Sequence, residues 1–328
     1  MTQSILRRDC VTGGTGFLGS HIISQLLASS EYIVRGTARS GKKLGDIFPN
    51  ESRLEVVEVP DLTSDHTDAL KGVQAVMHVA APISNKAESG EELFNGIYEG
   101  TLHIIKQAIN LGIKKIVCTG LGQAINFTTQ ILAQYANAFG PEALNEKGYG
   151  VVNKESVDYE KRYKAIWEIA YQHPDVDATI ILPPAIYGPM VSNYPVTSRS
   201  SLGTNDWVYY LVAEGTYPSA PAGDIIDVRD AARAHIVALS VGPIPGKNKR
   251  FIVAREKCYW KEVAELIKKE RPELAHRLPK EDLEPPVQTT APLDLTFTEQ
   301  GLGFTEYHYR REETLLAALD CGLALGRK

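Results

Sequence analysis

Short apolar runs and amphipathic stretches alternate through the first half of the chain. An apolar-leaning run over 5–11 leads into a glycine-rich turn. Apolar residues at helical spacing follow it: Phe17, Leu18, Ile22, Ile23, Leu26 and Leu27. Runs of β-branched and aromatic residues predict further strands over 32–38, 54–59, 75–79, 115–118 and 178–182. Helical patterns fall over 16–28, 65–71, 93–111 and 157–171. This alternation is the signature of a parallel sheet with helices on both faces, a doubly wound α/β core. It breaks at Pro183-Pro184 and Gly188-Pro189. From there to about Gly223 the chain is rich in Ser, Thr, Pro, Tyr and Gly, which reads as loop, whether facing a ligand or plain surface. A helix over 230–239, a strand over 250–254, a helix over 260–270, a loop over 282–292 and a last helix over 312–323 complete the pattern.

Composition changes this picture little. The chain has 328 residues, 43% of them hydrophobic, enough for one large domain or two modest ones. A net charge of −5 without a basic tract argues against a nucleic-acid partner. No apolar run is long enough for a bilayer, and residues 1–10 lack the apolar core of a signal peptide. Cys10, Cys118, Cys258 and Cys321 are scattered and form no C-x-x-C pair, as expected for reduced thiols of a cytoplasmic protein without a zinc site. Neither H-E-x-x-H, a phosphate-binding Walker loop nor G-x-S-x-G occurs, and no metal is expected. The expected partner is a small molecule, with no nucleic acid and no membrane, and the protein is expected to be a monomer or homodimer.

The chemistry concentrates in Val11-Thr12-Gly13-Gly14-Thr15-Gly16-Phe17-Leu18-Gly19-Ser20. A glycine triplet between strand and helix is the setting for dinucleotide binding. Gly13 permits the tight turn, Gly16 lets backbone approach a pyrophosphate, and Gly19 lets helix and strand pack closely. The helix start offers free N–H groups to the phosphates. A lone triplet would leave an unliganded Gly-rich loop equally open. After the second strand comes Arg39-Ser40-Gly41-Lys42-Lys43, where an NAD site usually carries a carboxylate for the ribose 2′-hydroxyl. A guanidinium fork here matches a 2′-phosphate, and the lysines add charge, so NADP(H) is favoured over a merely solvated basic turn. Asp61-Leu62 could hold the adenine edge. His78-Val79-Ala80-Ala81-Pro82 ends the fourth strand with small residues that would let backbone pass beside a ribose.

These residues resemble the extended short-chain dehydrogenases/reductases. The resemblance is to the group of dihydroflavonol reductase, cinnamoyl-CoA reductase and fungal methylglyoxal/aldehyde reductases. It rests on the Thr12 to Gly19 turn, Arg39, Asp61-Leu62, the 78–82 strand end, 181–189 (ILPPAIYGP) and 227–239 (DVRDAARAHIVAL), and reaches from about residue 10 to 255. It implies a Rossmann domain that binds NADP over 1–188, with 225–255 returning to it, and a smaller C-terminal α/β substrate domain over 189–328. It also implies cofactor contacts at Thr12, Gly13, Thr15, Gly16, Phe17, Leu18, Gly19, Arg39, Lys43, Asp61, Leu62, Ala80, Ala81, Thr119, Pro183 and Ile186.

The catalytic pattern of that family is not present. Its members use a Tyr and a Lys at i and i+4, with a Ser or Thr after the fifth strand to orient the carbonyl. None of this chain's tyrosines has Lys at i+4. Tyr149 is followed there by Asn153, Tyr159 by Tyr163 and Tyr163 by Trp167. The usual serine slot, in Cys118-Thr119-Gly120-Leu121-Gly122, holds Leu121. The remaining candidates are Thr119, Glu155, Tyr159 and Lys164, with Tyr149 and Lys154 nearby; exposed helix charges are the plain reading of the lysines. His78 and His235 read as structural. Three functions therefore stay open: an NADPH-dependent carbonyl reductase with a non-standard proton donor, a lyase, isomerase or cyclase on the same scaffold, and an NADP-sensing protein without turnover.

Overall fold

The structure is a computed structural model, and it describes residues 6–80, 90–120, 159–219, 223–286 and 293–327. Strands β1 (Arg7–Thr12), β2 (Tyr32–Ala38), β3 (Leu54–Glu58), β4 (Ala75–His78), β5 (Lys115–Thr119), β6 (Asp177–Leu182) and β9 (Lys249–Ile252) form a seven-stranded sheet in the order β3-β2-β1-β4-β5-β6-β9. Every pairing in it is parallel. The inner strands β1, β4, β5 and β6 are largely buried, which is why their sequences lean to near-continuous apolar runs rather than alternating ones, while edge strand β3 is partly exposed. Val11, Val117 and Ile181 point to one face, against α1 (Phe17–Ala28) and α7 (Val228–Ser240). Cys10, Ile116, Cys118 and Ile180 point to the other, where α4 (Gly90–Asn110) and α5 (Tyr159–Gln172) contribute Ile104, Ile105, Ile166 and Trp167. The alanines of α7, Ala231, Ala234 and Ala238, are fully buried and let it lie close against the sheet layer.

The stretch expected to be loop after Gly188 contains regular structure. Helix α6 (Asn205–Ala213) lies within it, and a second sheet of β7 (Ala185–Tyr187), β8 (Gly223–Asp227) and β10 (Glu256–Cys258) flanks it. Strands of three to five residues amid Pro and Gly carry too little period for sequence to reveal. This unit packs with α8 (Trp260–Glu270) and α9 (Arg311–Leu323) around Tyr187, Val208, Leu211, Trp260 and Leu319. Tyr209 lies against Gly322, where any side chain would overlap its ring. Trp207, Tyr209 and Tyr217 therefore pack against this core. The short helices α2 (Gly41–Ile47) and α3 (Thr67–Leu70) complete the first half. Cys10, Cys118 and Cys258 are buried free thiols that desolvation pushes up to about 12. No helix among the described residues is long and apolar enough to cross a membrane.

Two buried histidines tie strand ends together. Thr12 Oγ1 accepts N–H bonds from Val79 (3.1 Å) and Ala80 (3.2 Å), so its own hydrogen goes to His78 Nδ1 at 2.8 Å. The His78 Nε2–H then donates to Thr101 Oγ1 at 3.1 Å. His235 is held the other way round. Its Nδ1–H donates to the Ala231 carbonyl at 2.7 Å, and its Nε2 accepts the Thr119 hydroxyl at 2.9 Å. Both imidazoles are neutral, because burial pushes them down to about 4.

This neutrality makes the fold acid-sensitive. Between about pH 6.5 and 4 the unfolded chain protonates these histidines while the native state does not, so stability falls as pH falls through that window. Lowering pH from 7 to 5 should cost about 2 kcal/mol for each of the two. His21 and His66, also lowered by burial, add in the same direction. Urea titrations at the two pH values check this. His235→Gln should be less stable at pH 7 yet show a shallower pH slope, and an unchanged slope would contradict the assignment.

Candidate functional site

The strand order reverses between β1 and β4, whose following helices α1 and α4 pack on opposite faces, and the crevice at the strands' C-terminal ends is where doubly wound sheets bind ligands. The glycine turn fills one side of it. Gly13 has φ +72°, and a Cβ there would stand 2.9 Å from Ala80 Cα, so only glycine lets the loop after β1 run beside the end of β4. Gly14 N–H donates to the Thr37 carbonyl at 2.9 Å, pinning the turn to β2. At Gly19 a Cβ would overlap the Gly13 carbonyl, so the first turn of α1 tucks directly under the loop.

Gly16 differs from both. A Cβ there would meet only Gly13 O, at 3.1 Å, so the loop is open on that side. Gly16 also caps α1 without a side-chain hydrogen bond, and no acidic residue lies in the first turn. The first N–H groups of the helix have no intrahelical acceptor. An open cradle of uncapped amides fits a pyrophosphate. Thr15 and Phe17 are partly exposed here, while Leu18 is buried and belongs to the core under the loop.

At the end of β2, Arg39 is exposed and forms no hydrogen bond or ion pair among the described residues. Lys42 is committed to Asp46 at 2.6 Å. Lys43 lies over the Tyr194 ring, 5.4 Å from its centroid, and Asn193 Nδ2 donates to the Ile47 carbonyl at 3.3 Å. The chain after Pro189 thus runs past α2, a contact that separation along the sequence hides. Asp61 Oδ1 accepts both the hydroxyl (2.7 Å) and the amide (2.8 Å) of Thr63, which hold its carboxyl below the usual range. Leu62 is wedged against Gly100 of α4.

On the far side, Pro183 is buried and Ile186 packs on the core. The following turn is clamped: Gly188 exchanges both backbone bonds with the Asn205 side chain, at 3.2 and 2.8 Å, and His21 Nε2–H donates to the Pro189 carbonyl at 2.8 Å. Thr204 Oγ1 donates to the Ile186 carbonyl. These clamps come from α6 and α1, which the sequence pattern does not connect to this turn.

Of the catalytic candidates, Thr119 is described in full. Its hydrogen is given to His235, so toward other groups it acts only as an acceptor. It cannot donate to a carbonyl as the serine of the family would. Tyr159 and Lys164 are positions on α5, about 140° apart around the helix at five residues' separation. Tyr149, Lys154, Glu155, Leu121 and Ala81 lie outside the described residues. No group of three or more His, Cys, Asp or Glu residues that could hold a metal exists among the described residues.

Comparison with known proteins agrees with this geometry. The model of the NAD(P)H-binding family matches residues 13–201. An uncharacterized oxidoreductase of Schizosaccharomyces pombe is 30% identical, covering 92% of this chain and 93% of that protein. The NADPH-dependent methylglyoxal reductase of Saccharomyces cerevisiae is 27% identical over 82% of this chain and 84% of its own length. The crystal structure of Gre2 from Candida albicans superposes with a TM-score of 0.80 at 23% identity, covering 98% and 99% of the two chains. The chain therefore belongs to the NAD(P)H-binding family, among the extended short-chain dehydrogenases/reductases related to dihydroflavonol, cinnamoyl-CoA and methylglyoxal reductases.

Proposed function

We propose that the protein is an NADPH-dependent oxidoreductase acting on a small-molecule carbonyl or secondary metabolite, with an active site that departs from its family's Tyr–Lys pattern. The observation that carries the NADPH assignment is Arg39, an exposed guanidinium at the end of β2 beside the open glycine cradle, without an ion-pair partner among the described residues. The relative named NADPH-dependent, 27% identical across most of the chain, supports it. In this reading the Gly13 to Gly19 turn and the start of α1 hold the pyrophosphate. Arg39 and Lys43 hold the 2′-phosphate, and Asp61 and Leu62 border the adenine. Ala80, Pro183 and Ile186 border the nicotinamide end, where Thr119 accepts a hydrogen bond. Bound NADPH supplies a hydride to a carbonyl carbon.

Fluorescence titration tests the cofactor assignment. A charge-assisted contact is worth about 1.5–3 kcal/mol, so NADPH should bind one to two decades more tightly than NADH, and Arg39→Ala should remove most of the difference. Equal affinities in the wild type would refute it. Gly16→Val should fold normally and lose NADPH binding, because a side chain there fills the open cradle. Normal binding by this variant would move the phosphate site elsewhere.

Catalysis should be weak with ordinary carbonyls. The family lowers its tyrosine's pKa with a lysine one turn on, and the position one turn beyond Tyr159 is Tyr163. NADPH consumption with simple aldehydes and ketones should therefore be slow, and Tyr159→Phe should change it by less than about threefold. Rapid turnover abolished by Tyr159→Phe would show instead that a tyrosine donor operates.

A further inference from the structure

The edge of the cleft that carries Arg39 also carries a negative charge. Glu58 ends β3 and stands opposite Ala38 of β2, the residue before Arg39. Its Oε2 accepts the Gly41 N–H at 2.8 Å, so a carboxylate is held two residues along from the guanidinium. The approach is close: a Cβ at Gly41 would meet Val56 Cγ1 at 3.3 Å and Glu58 Oε2 at 3.4 Å. Yet the acid does not neutralise its neighbour, since Arg39 forms no ion pair among the described residues. Of the two lysines at this turn, Lys42 pairs with Asp46 and Lys43 lies over the Tyr194 ring. Satisfying the Gly41 amide explains an acceptor at position 58 but not a charge, because an amide oxygen would accept the same bond.

We propose that Glu58 is a specificity-determining residue of the cofactor site, its carboxylate opposing the 2′-phosphate that Arg39 attracts and so narrowing the preference for NADPH over NADH. This rests on the placement of the 2′-phosphate at Arg39. A phosphate monoester carries about −1.5 to −2 charge at neutral pH, so it meets Glu58 as a like charge. A ribose bearing only hydroxyls carries no charge there and is not repelled. Glu58 is exposed, so water and salt weaken the opposition without removing it. At a separation of several ångströms near a protein surface the effect on affinity is about three- to tenfold at low salt.

Calorimetric titration with 2′,5′-ADP and with 5′-ADP separates the phosphate from the rest of the nucleotide. Glu58→Gln keeps the acceptor for Gly41 and removes only the charge. It should bind 2′,5′-ADP about three- to tenfold tighter than wild type at low salt, with a smaller gain at about 0.5 M salt, and leave 5′-ADP affinity unchanged. Arg39→Ala, measured alongside, should weaken 2′,5′-ADP alone. If Arg39→Ala weakens it but Glu58→Gln does not tighten it, the phosphate lies at Arg39 and Glu58 has no part in selectivity. Equal tightening of both nucleotides would likewise overturn the proposal, since Glu58 would then act through loop shape. If Arg39→Ala changes nothing, the placement itself falls, and the role of Glu58 with it.

Discussion

The close approach of Gly13 to Ala80 is the constraint on which the rest of the site depends. The helices that follow β1 and β4, α1 and α4, pack on opposite faces of the sheet, and a crevice exists only if the two strand ends are held side by side without filling it. A side chain at Gly13 would push them apart. Thr12 holds them together, taking the Val79 and Ala80 amides on one oxygen and giving its hydrogen to His78. The imidazole passes the chain of bonds to Thr101 on α4, so the helix on the far face is tied to the same point. Every polar side-chain atom in this chain of bonds has a partner, which ties the ends of β1 and β4 to one another.

The Thr119–His235 pair repeats the device at β5 with the same polarity, the hydroxyl donating to the imidazole but to Nε2 instead of Nδ1, and this polarity has chemical weight. Because Ala231 takes the Nδ1 proton, the ring nitrogen facing Thr119 can only accept, and the hydroxyl must turn its hydrogen inward. A threonine in nearly the right place for substrate orientation is thereby committed elsewhere. Leu121 in the serine slot adds no hydrogen-bond donor. In the proposed reading the cofactor end of the site keeps its family chemistry while the substrate end departs from it. A binding cradle needs backbone and small residues, whereas proton transfer needs particular side chains at particular distances.

Much of the fold was legible in the sequence. The strands over 32–38 and the helix over 260–270 coincide with β2 and α8, and the other predicted strands differ from the observed ones by a residue or two at either end. Parallel strands buried on both faces are short apolar runs, and amphipathic helices repeat every 3.6 residues, so both are local patterns. The glycine spacing was legible for the same reason: the turn, its strand and its helix are contiguous. Less legible were α6, after Gly188, and the three short strands of the second sheet that flank it, which draw their stability from Trp260, Leu315 and Leu319, far along the chain. Packing against α9 places Tyr209 with the core there, a contact that separation along the chain hides.

Local order thus determined the individual strands and helices of the doubly wound sheet, the glycine turn and the positive charge after β2, because each is encoded in a short run of consecutive residues. Tertiary structure alone decided which side chains meet. Glu58 reaches Gly41 because β3 pairs with β2 in one register. Thr119 loses its hydrogen because α7 returns beneath β5. Tyr194 lies beside Lys43 because the chain crosses back over α2. Hydrogen-bond polarity and charge proximity depend on distances of a few ångströms between residues scores of positions apart, and periodicity along a chain carries no record of such distances.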